Sequence, residues 1–424
     1  MCRGVRVAMS KQLRDRERVI GERERERPSL WDRLESPLST YYLLLTATGM
    51  LLIIGLVMVL SASSVTQLNN NKSPFNLFFR QGIFAVVGVG AACVTARLPV
   101  RFWKRIGLPL LFVSVCLQML VFTPLGHTVN GNRNWVSIAG VQLQPSEIGK
   151  VALILFSAAV LAKKKKLLGD WRHVVIPVFM PAAFVVVGLV LLGRDLGTAL
   201  VLFAVLAGIL WVLGISWKFF AISAGVGAVG VLALVVGSSN RTERINAWLS
   251  CTNVLQCWQS RHGQFALADG GLSGLGLGGS REKWLWLPEP HNDFIFAIVG
   301  EELGIAGTLM ILLLFGALAL GCYRLIRHSD DMFVRLVTAG VMSWILVQAV
   351  INIGSVIGLL PIIGVPLPLV SYGGSALVTT LGALGILISF ARNEPAARRA
   401  LQARPRVLIR TLAAVPRRHG GPRR

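Results

Sequence analysis

The sequence predicts an all-α integral membrane protein of about ten transmembrane helices. Composition and one pattern carry that prediction. Of 424 residues, 54% are hydrophobic and only 15% are charged, with a mean hydropathy of +0.64, which is too apolar for a soluble domain. The apolar residues fall in runs near the length that crosses about 30 Å of hydrocarbon. Lys and Arg cluster in alternate connections, as they do in cytoplasmic loops.

Taken in order, the runs lie near 41–63, 78–96, 106–124, 146–162, 174–192, 196–215, 218–237, 294–326, 334–357 and 373–391. A charged arm, 1–40, precedes them, with Arg and Glu alternating over 14–27 as a short solvated helix or an unstructured arm. That arm is unlike the start of a cleavable signal peptide, so none is expected. The fifth and sixth runs are parted only by "GRDLG". Ten spans put both ends on one side. The segments "KQLRDRERVIGERERERP", "RLPVRFWKR", "KKKKLLGDWRH" and "RLIRHSDDMFVR" and the basic tail 393–424 share that side, which is therefore read as cytoplasmic. The membrane domain is 41–392, and its long loop 238–293 is read as extracytoplasmic.

The net charge of +23 follows from this bias and the tail. The tail suits anionic lipid or a partner, and nucleic acid is not required. Six cysteines are too few for a disulfide scaffold. Cys251 and Cys257, in "SCTNVLQCWQS", are either bridged in an oxidising exterior or free thiols. No His and Cys spacing suits zinc.

Ionisable residues near the membrane are costly unless paired or hydrated, so each is a functional candidate. In "NGNRNWVSIAGVQLQPSEIGKVALI", 130–154, the first half reads as an external loop and Pro145 and Ser146 as a helix start. Glu147 and Lys150, three apart, share a helix face, either in a cavity or merely offsetting their own burial. Arg133 and Trp135 belong to the cavity mouth or to the interfacial belt. Asp195, in "LGRDLGTAL", can face a cavity and also cap the next helix. The glycine run 270–279 lacks the Lys-Ser/Thr ending of a phosphate loop and reads as a close-packing segment. Lys283, Trp284 and Trp286 follow near the headgroups, and Asp293 at the membrane edge is either functional or a helix N-cap. Finally "NIGSVIGLLPIIGVPLPLVSYGGSALV", 352–378, is broken backbone at membrane depth, tolerated only against protein or a cavity.

From these residues, two classes fit an outward polar cavity. A transporter would use the acids as ion or proton relays. A membrane enzyme would use one carboxylate as general base on a lipid-linked substrate, with cations holding its phosphates.

The stretches "NGNRNWVSI", "QPSEIGK", "DLGTA", "KWLWLPEPHNDFIFAIVGEELG" and "LPLVSYGGSAL" stand in the order, and at about the spacing, of the SEDS family (shape, elongation, division and sporulation), which the chain resembles over about residues 41–395. The resemblance implies a ten-span polymerase that joins lipid II disaccharides into glycan at the outer face of the plasma membrane. It also implies a class B penicillin-binding protein as crosslinking partner. "HNDFIFAIVGEELG", "INIGSVIGLLP" and "FARNEPAARRAL" look more like the division branch than the elongation branch, which implies the septum and other divisome proteins. "GRDLGT" and "ARNEP" are similar to actinobacterial types.

On this resemblance Asp293 matches the family's essential acid. It would take the proton from the 4-hydroxyl of the acceptor GlcNAc while undecaprenyl diphosphate leaves, with inversion at the MurNAc anomeric carbon. Arg133, Lys150 and Lys283 would absorb the diphosphate charge. Trp135 would pack on lipid or sugar, and Glu147 would hold Lys150. Asp195 would order the cavity or, with Asp293, bind a divalent cation such as Mg or Mn. Glu301 and Glu302 are read as structural, with partner binding as the alternative. A lipid II flippase, an elongation-type polymerase and a scaffold are the alternatives. One departure is Arg194, where the family often has proline, which leaves the local turn in question.

Overall fold

The computed structural model describes residues 38–129, 132–138, 140–164, 182–236, 242, 245–246, 248–249, 254–395 and 397–399. The charged arm up to residue 37, most of the basic loop after Lys163 and the tail beyond 399 lie outside the described residues. Thr40–Pro395 form one compact unit.

The described part of each of the ten apolar runs is largely helical; residues 174–181 of the fifth and 237 of the seventh lie outside the described residues. The helices are α1 (Ser39–Asn69), α2 (Asn76–Thr95), α3 (Val100–Leu120), α4 (Pro145–Lys163), α5 (Phe184–Leu192), α6 (Leu196–Val212), α7 (Trp217–Val236), α9 (Ile295–His328), α10 (Met332–Val356) and α11 (Gly374–Asn393). Of these, α1, α2, α4, α9, α10 and α11 are long and apolar enough to cross a membrane. The chain is therefore a helical multi-pass membrane protein, as its composition predicts.

The helix ends follow from local chemistry. Pro145 opens α4, where its missing N–H costs nothing. Asp195 caps α6 by accepting from the Thr198 amide at 2.9 Å, and Asp331 caps α10 through Phe333 at 3.0 Å. Helices α4, α10 and α11 are the most enclosed of the spanning set. Glycines allow close approach around them. A Cβ at Gly385 of α11 would collide with Thr95 and Ala92 of α2, and one at Gly107 of α3 would press on the Leu155 backbone of α4. The apolar residues of α2 that escape this packing, such as Phe79, Ile83 and Val86, face outward, where lipid covers them at no cost.

Two features were not legible as elements. The Asn- and Gly-rich stretch before α4 folds into a small antiparallel sheet, β1 (Gly126–Val129), β2 (Asn132–Ile138) and β3 (Val141–Leu143). Its register pairs His127 with Trp135 and Val136 with Leu143. The long loop contains a further helix, α8 (Val254–Gly270), that packs on the start of α9. Gly263 lies against the Phe294 ring, and Gly270 against the Gly300 carbonyl.

The glycine run after α8 is a packing segment, as its sequence suggests. Helix α9 breaks at Gly304, whose φ of 66° and ψ of −161° are open to glycine alone. The break frees the carbonyls of Glu301 and Glu302. These accept instead from the amides of Leu275 at 2.9 Å and Gly276 at 3.0 Å, while the Ile305 amide donates to Gly271 at 3.1 Å. Cys257 is disulfide-bonded; Cys251, which the sequence left as either its partner or a free thiol, lies outside the described residues. Cys93, Cys116 and Cys322 are free thiols.

Candidate functional site

A cavity of about 390 Å³ opens among α2, the sheet, α4, the segment before α9 and the loop before α11. Its walls include Trp135, Glu147, Lys150, Asp195 and Asp293, so five of the seven expected site residues converge on one space.

Asp293 is half-buried there. It is not the N-cap of α9; that position belongs to Phe294, and no side chain caps the helix from it. Instead the backbone around Asp293 is tied down carbonyl by carbonyl. His291 O accepts from the Tyr372 amide at 2.9 Å, Asn292 O from Ser371 Oγ at 2.7 Å, and Asp293 O from Asn352 Nδ2 at 2.9 Å. Asn352 also donates to Val365 O at 2.8 Å. The broken segment between α10 and α11 thus serves as the clamp on the aspartate's loop. Each contact satisfies a main-chain group that would otherwise be orphaned in a low-dielectric surrounding.

Asp195 does both things its sequence allowed. While Oδ1 caps α6, Oδ2 accepts from Asn134 Nδ2 at 2.8 Å, Thr198 Oγ1 at 2.8 Å and Gln144 Nε2 at 3.1 Å. It therefore ties the sheet to α6 and forms a fixed floor. The turn before it has Arg194 at φ 63°. A proline, locked near −65°, could not adopt that angle, so the departure at this position goes with a different local turn.

Glu147 and Lys150 form a buried ion pair at 2.7 Å. The Lys150 ammonium also lies 4.5 Å from the centre of the Trp344 ring. Trp344 Nε1 donates to Gln348 Oε1 at 2.7 Å, and Gln348 Nε2 to Pro366 O at 3.1 Å. The cation is thus held by a carboxylate and an aromatic face, and it reaches the cavity in a fixed place.

Two expected cavity cations are elsewhere. Arg133 is exposed, and its Nη2 reaches back to the Thr123 carbonyl at 3.0 Å, just beyond α3; it does not line the cavity. Lys283 is 3% exposed and is also absent from the walls. Its ammonium bonds Glu302 at 2.9 Å, Gly278 O at 2.7 Å and Ser61 Oγ at 3.2 Å. Glu301 accepts from Ser280 Oγ and from the amides of Arg281 and Glu282. Burial and these satisfied bonds make Lys283 a tie between the loop, α1 and α9 rather than an anion ligand.

Arg80 of α2 does line the cavity, and the sequence reading passed over it. Its signal was a lone arginine in "NLFFRQG" at the head of an apolar run, which the cost of an intramembrane charge marks as notable. His291 is a second omission. Burial pushes its imidazole pKa down, with Glu289 opposing.

Asp195 is saturated by four donors. Among the described residues no three His, Cys, Asp or Glu side chains come together to hold a metal.

The arrangement offers one carboxylate on a clamped loop, an imidazole two residues away whose charged form burial disfavours, and two cations on other walls. It suits proton abstraction from a hydroxyl beside a departing anion.

Comparison with known proteins follows the same line. The model of a cell cycle protein family, FtsW/RodA/SpoVE, matches residues 42–395. A probable peptidoglycan glycosyltransferase FtsW of Mycobacterium tuberculosis is 39% identical over 384 residues, 90% of this chain and 73% of that one. Stage V sporulation protein E of Bacillus subtilis is 36% identical over 359 residues, 82% of this chain and 96% of that one. Among solved structures, a chain of a peptidoglycan synthase complex, studied for its coordination of polymerization and crosslinking, matches with a TM-score of 0.68 and 26% identity over 83% of this chain and 97% of that one. The rod shape determining protein RodA of Thermus thermophilus matches with a TM-score of 0.61 and 27% identity, covering 83% and 96%.

Proposed function

Because the chain belongs to the FtsW/RodA/SpoVE family of cell cycle proteins, we propose that it is a peptidoglycan glycosyltransferase of the FtsW type, polymerising lipid II at the outer face of the plasma membrane. The observation that carries the chemistry is Asp293 on its clamped loop in the polar cavity. Relatives named as FtsW glycosyltransferases and matched over most of this chain support the activity. No observation favours the elongation-type or flippase alternative over it.

In this reading Asp293 accepts the proton of the acceptor GlcNAc 4-hydroxyl. The oxygen attacks the MurNAc anomeric carbon of the donor strand, and the bond to undecaprenyl diphosphate breaks with its electron pair on the phosphate. Attack opposite the leaving group inverts α to β. A diphosphate leaves without protonation where cations absorb its charge. Arg80 and Lys150 take that role from the walls, in place of Arg133 and Lys283. Trp135 supplies apolar surface for lipid or sugar. All ten apolar helices span the membrane, both termini are cytoplasmic, and the enzyme works at the septum with a class B penicillin-binding protein. The matched chain of a complex that coordinates polymerization with crosslinking supports such a partner.

The test is incubation of the purified protein, with its penicillin-binding protein, in lipid II. Glycan strands and released undecaprenyl diphosphate are the expected products. Movement of lipid II across vesicles without strands would overturn the reading in favour of a flippase.

A further inference from the structure

The chain before α9 doubles back beside that helix. Helix α8 follows the first turns of α9, with Gly263 against the Phe294 ring, Leu267 against Gly300 and Gly270 against the Gly300 carbonyl. The chain then reverses over the glycine run, where Gly274 lies against the Glu302 carbonyl and the Gly304 amide. It returns past Ser280 and Arg281, which both bond the Glu301 carboxylate, toward Asp293. The tip of this excursion is therefore level with Gly304, where α9 breaks.

That level can be placed against the bilayer. From Ile295 to Glu302 every residue of α9 is buried. From Ile305 onward the helix turns apolar side chains outward, among them Ile305, Leu309, Leu312 and Leu313, and its next charge is Arg324. The rise from Ile305 to Arg324 is about 28 Å of α-helix, close to the roughly 30 Å of hydrocarbon in a bilayer. Ile305 thus marks the edge of the hydrocarbon on the side of Asp293. The tip packs directly beside it, because the Ile305 amide donates to Gly271 O at 3.1 Å.

The chemistry of the tip suits that depth. Between Asp269 and Arg281 it carries no charged residue, yet Leu272 and Leu277 are 79% and 63% exposed. Irregular backbone is tolerated at the hydrocarbon edge only where its polar groups find partners in the protein. Here the amides of Leu275 and Gly276 donate to the Glu301 and Glu302 carbonyls, the Gly274 amide to Gly270 O at 2.8 Å and the Gly279 amide to Gly276 O at 2.9 Å. Gly278 O accepts from Lys283 Nζ. We propose that Leu272 and Leu277, with Leu275 between them, insert among the acyl chains of the outer leaflet, continuing the lipid-facing surface of α9. Lipid then seats the loop that leads to Asp293, and the exposed Arg281 lies at headgroup level. The name of the leaflet rests on the topology proposed above; the contact with hydrocarbon does not.

Depth is read by electron paramagnetic resonance of a nitroxide attached at Leu272→Cys, Leu277→Cys, Leu309→Cys or Arg261→Cys. The full-length protein carries Cys2→Ser, Cys93→Ser, Cys116→Ser and Cys322→Ala, keeps the Cys257 disulfide, and sits as a single copy in nanodiscs of phosphatidylcholine and phosphatidylglycerol. Leu309, on the apolar face of α9, is the lipid reference, and the exposed Arg261 of α8 is the water reference. Molecular oxygen concentrates in hydrocarbon and a nickel chelate in water. The ratio of oxygen to nickel collisions at Leu272 and Leu277 is expected to match that at Leu309 and to exceed that at Arg261 severalfold. A ratio equal to that at Arg261 puts the tip in water and overturns the contact. Few collisions with either reagent mean that protein covers the leucines, which overturns it too. Either tip position decides the matter if the other variant fails to fold. The readings need neither substrate nor turnover. Absent glycan synthesis with this pattern intact would therefore count against the polymerase reading and leave the lipid contact standing.

Discussion

Asn352 of α10 donates its side-chain amide to the main-chain oxygen of Asp293 at 2.9 Å and to that of Val365 at 2.8 Å. One side chain thus holds the aspartate's loop against the broken segment before α11. The helix, the clamp and the base behave as one mechanical unit, and its geometry can be tested apart from its chemistry.

Asn352→Ala removes both donors and leaves two carbonyls unsatisfied, a loss on the order of 1–3 kcal/mol in holding the loop. Steady-state polymerisation should show kcat down roughly tenfold or more with KM for lipid II little changed, because the residue positions the base and does not touch substrate. A change in KM alone would place Asn352 in binding instead.

The Lys283 and Glu302 pair predicts a stability effect. Lys283→Met leaves a buried carboxylate with its ammonium gone and should cost about 3–5 kcal/mol, seen as a lower Tm in detergent. The folded fraction should still bind undecaprenyl diphosphate like wild type, since Lys283 is not in the cavity wall. Weaker binding at an unchanged Tm would restore Lys283 as an anion ligand.

Asp195→Asn keeps one oxygen for the α6 cap but turns an NH₂ toward the donors of Asn134, Gln144 and Thr198. Donor facing donor should cost about 1–3 kcal/mol and reduce polymerisation. Added Mg or Mn should not restore it, because the residue orders the cavity rather than ligating a metal. Full rescue by excess divalent ion would contradict that.

Much of the fold was legible because bilayer-spanning helices announce themselves by length and apolarity, and the described part of every apolar run is largely helical. The sheet and α8 were not, because weak periodicity in short or polar segments says little until packing fixes it; α8 shows itself only through Gly263 and Gly270 against α9. At the site, Glu147, Lys150, Asp195 and Asp293 were visible as costly charges near apolar runs. Arg133 and Lys283 misled for the same reason: a charge near a cavity in sequence can be satisfied elsewhere in space, by the Thr123 carbonyl in one case and by Glu302 in the other. Asn352 acts through two backbone carbonyls far from it in sequence, a contact that only the folded chain reveals.

The most direct measurement compares glycan synthesis from lipid II by wild type and Asp293→Asn, each purified with the same penicillin-binding protein and matched for folded amount. The variant changes one oxygen to an NH₂ and leaves the pinned carbonyl in place. Strands from wild type and a loss of at least a hundredfold in the variant, with lipid II binding retained, is the result predicted for a general base. Equal strand formation by both would place the chemistry away from Asp293.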